Sequence, residues 1–151
     1  MKEIPITPHM RYVDGNLLFR EELILSWLST PRPDYVGLSI HLQTIVEQIE
    51  EATSQIERYV AVLKMRLQAA RDEGCDSSQA QHALDLVTTY SFAARQVAVE
   101  TALRTEYFKS MIAIVDRQAS RSFAASGAMV AATSLNQVLM YRDRASELSK
   151  I

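Results

Sequence analysis

The chain has 151 residues, 48% hydrophobic and 23% charged, with a net charge of −2, four Gly, four Pro and one Cys. That length suits a single domain with a sizeable core. The near-neutral charge gives no general attraction to nucleic acid, and a lone Cys75 excludes an internal disulfide.

All four prolines (Pro5, Pro8, Pro31, Pro33) fall before Asp34, and beyond them only Gly37, Gly74 and Gly127 interrupt the chain. This is the composition of long helices. The expected fold is all-α, a long antiparallel α-hairpin (about 35–73 and 78–120) with flanking helices in a coiled-coil-like bundle. We read it as one helical domain over 1–151, divided into an extended arm (1–13), a short helix (16–30), the hairpin (34–120) and a C-terminal helix (121–151).

Pro5 and Pro8 keep the arm out of helix. It lacks the apolar run of a secretory signal, so cytoplasmic synthesis without a Sec signal is expected, with signal-free export or incorporation into an assembly compatible. Asp14-Gly15-Asn16 supplies a turn and cap. The short helix that follows is apolar on most of its circumference, through Leu17, Phe19, Leu23, Trp27 and their neighbours. Such a helix is buried on more than one side, either across the end of the bundle or in a partner's groove. Thr30-Pro31-Arg32-Pro33 ends it.

The next segment organises the rest. Leu42, Ile49, Ile56, Leu63 and Ala70 recur every seven residues, interleaved with Leu38, Ile45, Ala52, Tyr59 and Arg66. This three-and-four alternation keeps one face of a helix against a partner. Glu47, Glu50, Glu51 and Glu57 fall on the opposite, solvated face. Gly74 is placed as the residue just past the helix end. Asp76, Ser77 or Ser78 can cap the following helix, with Ser78 and Gln81 spaced as a capping box.

A turn this short between long helices makes an antiparallel hairpin, in which facing residues have numbers summing to about 150. The second seam reads Ala83, Val87, Tyr90, Ala94, Val97, Thr101, Arg104, Phe108, Met111 and Val115. In this register Arg66 is expected near Asp85, and Arg104 near Glu47 and Glu50.

The last segment either continues this helix or restarts after Ser126-Gly127. Residues 122–141 carry no charge. Ala124, Ala128 and Ala132 form a small-residue ridge that permits close helix approach, beside Phe123, Leu135 and Leu139. Membrane length alone allows a lipid contact, but Asn136, Gln137 and several hydroxyls favour burial at a core or subunit interface.

Catalytic patterns are missing. His9, His41 and His82 belong to no metal-binding spacing, no Gly-rich loop points to phosphate, and Asp72, Glu73 and Asp76 make a poor setting for Cys75 as a nucleophile. No cofactor is implied. The sequence therefore points to a non-enzymatic structural protein that self-associates into an oligomer or filament. The alternatives are a membrane-active or secretion-linked protein using 122–141, and an adaptor or chaperone for another helical protein. The expected partner is a second copy or a helical protein. Charge is uneven, with four basic and nine acidic residues up to Glu57 and twelve and nine beyond it, which fits either internal pairing between two antiparallel helices or head-to-tail association of subunits.

Overall fold

The computed structural model describes residues 3–5, 10–13, 16–19, 35–111 and 117–150, with side-chain surroundings for 39, 40, 42–110 and 127–150. The fold is an all-α bundle of three long helices, α1 (Tyr35–Asp72), α2 (Ser78–Met111) and α3 (Arg117–Ser149), each packed on the other two. Three short strands precede it, β1 (Glu3–Pro5), β2 (Met10–Val13) and β3 (Asn16–Phe19), in an antiparallel sheet of order β1-β2-β3. Strand β3 lies against α3.

The sheet corrects the reading of Leu17 to Phe19 as the start of a short helix. Val13 pairs with Asn16, leaving Asp14-Gly15 between the strands. Asp-Gly is a strong hairpin signal when apolar runs flank it. The rest of the expected short helix, Trp27 included, lies outside the described residues.

The turn between α1 and α2 is built from local chemistry. Gly74 has φ of 70°, a left-handed conformation that costs a residue with a Cβ. Its N–H donates to the Arg71 carbonyl at 3.1 Å, and the Cys75 N–H donates to the Ala70 carbonyl at 2.9 Å. This pair of bonds is a Schellman motif, which satisfies the last carbonyls of α1. On the other side the Ser78 N–H donates to Asp76 Oδ1 at 3.0 Å, and the Gln81 N–H donates to the Ser77 carbonyl at 2.9 Å. The capping box does not form. Gln81 instead accepts from Arg71 and donates to Asp85, at 3.1 and 2.8 Å, so its amide ties α1 to α2.

Four contacts set the hairpin register. Glu57 with Arg95, Gln43 with Lys109, and Arg71 with Gln81 each sum to 152, and Thr53 with the Ala94 carbonyl to 147. Helix α3 then lies antiparallel to α2: Tyr90 stacks on Tyr141 with centroids 5.4 Å apart, and Phe108 lies over Gly127. It runs parallel to α1, whose Arg66 donates to the Ser149 carbonyl in the last turn of α3. Helices α2 and α3 are thus two rods, the second starting at Arg117.

The core is one contiguous cluster. Leu42, Ile45, Ile49, Ile56 and Leu63 of α1 are fully buried with Val87 of α2 and Leu135 and Val138 of α3. Each such side chain contributes about 1.5–3 kcal/mol relative to exposure. Ala94 and Ala98 of α2 and Ala128, Ala131 and Ala132 of α3 supply small buried contacts between them.

Arg66 and Arg104 depart from the seams. Leu67 and Thr105 take the inward positions, and both arginines are exposed. A straight helix drifts by about 20° per heptad against a strict seven-residue repeat, so the late positions rotate outward. Among the described residues neither arginine makes its expected ion pair with Asp85, Glu47 or Glu50.

Candidate interaction surface

The anticipated seam residues occupy one interior. Leu42, Ile45, Ile49, Ile56, Leu63, Val87 and Phe108 are buried, while Tyr59, Tyr90 and Val97 pack against the cluster half-buried. Met111 ends α2, but its side chain lies outside the described set, as does Val115.

The anticipated interface residues are dispersed. Ala128, Ala132, Leu135 and Leu139 are buried inside this single chain. Leu17 and Phe19 sit on β3, and Phe123 and Ala124 on α3, with their side chains outside the described set. The uncharged stretch 122–141 is part of α3, and no described helix is long and apolar enough to cross a membrane.

Helix α2 carries a surface that the seam count overlooked. Phe92 is 74% exposed, Val99 52% and Leu103 66%. At 100° per residue, positions seven and eleven along fall within about 20° of the first. These three side chains therefore form one stripe, with Tyr107 at its edge. It faces away from the core because the opposite side of α2 is lined by Ala83, Ala94, Ala98, Thr101 and Thr105, all buried. Between Val87 and Phe108, which are themselves buried, the helix turns the small residues Ala94, Ala98, Thr101 and Thr105 inward and Phe92, Val99 and Leu103 to solvent. The signal was in the sequence as a second stripe, but tracking the seam on the other face hides it.

Polar groups border the stripe. Arg95 pairs with Glu57 at 2.5 Å, and Lys109 with Glu106 at 3.1 Å. Gln96 donates to Glu100 at 3.3 Å. An apolar strip within a polar rim has the anatomy of an interaction site.

The other candidates stay apart. His82 is exposed, and the neighbouring Asp85 accepts from Gln81. Glu47, Glu50 and Glu51 are exposed on α1, and Cys75 is exposed in the turn. Among the described residues no three His, Cys, Asp or Glu side chains stand close enough to hold a metal ion.

No protein-family model matches this chain, and no curated protein or solved structure matches it significantly.

Proposed function

We propose that this is a non-enzymatic structural protein that self-associates through helical faces, with the outer face of α2 as the contact. The observation that carries this reading is the exposure of Phe92, Val99 and Leu103 on one stripe. Apolar area of this kind favours association by its removal from water. Two copies apposed through this stripe bury it in an isologous, coiled-coil-like contact. A second contact elsewhere, helped by the uneven charge along the chain, extends such pairs into a filament.

The test is directed cross-linking. Val99→Cys in a Cys75→Ser background is expected to give an oxidised dimer in high yield. Glu51→Cys, on the exposed polar side of α1, is the control and is expected to stay monomeric. Equal yields from the two positions contradict the assignment of the face. Cross-linking only in the presence of another protein would make the chain an adaptor instead.

A further inference from the structure

We propose that the cleft at the Leu42 end of the bundle binds a single-ring aromatic carboxylate carrying a hydroxyl group. This cleft adjoins the self-association stripe at Tyr107, which lines it, but its ligand contacts do not depend on self-association. All three helices wall it, through Leu42 of α1, Phe108 of α2, and Val130 and Ala131 of α3. Its volume is about 260 Å³. An engineered apolar cavity of about 150 Å³ accepts benzene, so this one has room for a ring with substituents.

Two polar features select among apolar guests. Thr44, Thr53, Thr88, Thr89 and Thr133 each donate their hydroxyl to the carbonyl four residues back, at 2.7 to 3.0 Å. Thr101 does not. It lines the cleft at 3% exposure, and its hydroxyl is buried with no hydrogen-bond partner. Buried hydroxyls are nearly always satisfied, so this one marks a place where a partner is missing. A guest hydroxyl supplies it after a small rotation of the Thr101 side chain.

The second feature is Arg104, also in the lining, exposed and without an ion pair among the described residues. A guanidinium recognises a carboxylate by charge-assisted, bidentate hydrogen bonds. A ring between Phe108 and Leu42, with its hydroxyl toward Thr101 and its carboxylate toward Arg104, uses both of these polar features.

The probe is 4-hydroxybenzoate, titrated into the full chain and followed by NMR shifts of the Val130 methyls and the Ala131 amide. Saturable shifts are expected. Arg104→Gln is expected to weaken binding about tenfold, the loss of one charge-assisted hydrogen bond. Thr101→Val also weakens binding, yet raises the melting temperature of the free protein, because it removes an unpaired buried hydroxyl without changing shape. Val130→Trp fills the cleft and abolishes the shift of the Ala131 amide, the reporter this variant retains. Thermal melts of each variant show that it is folded. Absence of saturable shifts in the wild type overturns the proposal, as does unchanged affinity in Arg104→Gln or Thr101→Val.

Discussion

Tyr90 of α2 and Tyr141 of α3 stack ring on ring, with centroids 5.4 Å apart and planes inclined by 15°. The pair fixes the antiparallel register of α3 on α2 from the end opposite Phe108 and Gly127. Offset aromatic pairs contribute about 0.5–1.5 kcal/mol beyond their area burial. A double-mutant cycle of Tyr90→Leu and Tyr141→Leu is expected to give a coupling energy in that range by denaturant unfolding. A coupling of zero would show that the rings do not meet in solution.

Two glycines respond to alanine with opposite signs. Gly74 has positive φ, so Gly74→Ala is expected to destabilise by about 1–2 kcal/mol whatever space surrounds it. Gly127 lies inside α3, and a Cβ there meets Phe108 Cδ2 at 3.5 Å, an ordinary contact. Gly127→Ala is therefore expected to stabilise by about 0.5–1 kcal/mol through helix propensity. Urea midpoints moving in the same direction for both variants would contradict this geometry.

The Asp76 carboxyl is held below its ordinary value of 3.8 by the Ser78 backbone N–H and then by the Ser78 hydroxyl. A carboxylate favoured in the folded state adds stability above its unfolded pKa and loses it as pH falls through the lowered folded value. The contribution is thus complete at neutral pH and fades below about pH 3.8. Asp76→Asn keeps an acceptor without the titration. The difference between the melting temperatures of the two proteins at pH 7 is expected to change as the pH is lowered below 3.8, and a constant difference would rule out this role for the carboxylate.

Arg66 places its cation on the carbonyl of Ser149, in the last turn of α3. A cation at a helix C-terminus contributes about 0.3–1 kcal/mol at exposed sites. Arg66→Gln is expected to lose about that much and to speed amide exchange selectively in the final turn of α3. Uniform acceleration along the helix would mean that the contact is not a local cap.

The hairpin was legible because its determinants are local. The seven-residue apolar spacing from Leu42 to Leu63 marks the buried face, and Gly74 marks the end of α1, so the pairing of Glu57 with Arg95 follows from counting. Features that depend on three dimensions were harder to read. Arg66 and Arg104 satisfy a heptad count, but the straight helices rotate them outward and turn Leu67 and Thr105 in. Asp14-Gly15 reads equally well as a helix cap, and only the pairing of Met10–Val13 with Asn16–Phe19 favours a hairpin. The alanine ridge of α3 suits either a core or a subunit interface, and only the fold places Ala128 and Ala132 inside the chain. That leaves Phe92, Val99 and Leu103 as a stripe that no described element covers.

Self-association through that stripe is tested most directly by light scattering coupled to size exclusion, over a concentration series without detergent. The mass is expected to rise with concentration above the 17.0 kDa of one chain. Leu103→Glu, an exposed substitution that spares the core, is expected to return the mass to that of the monomer. A wild-type chain that stays at 17.0 kDa at every concentration would contradict self-association through the stripe. So would a Leu103→Glu variant that associates as the wild type does.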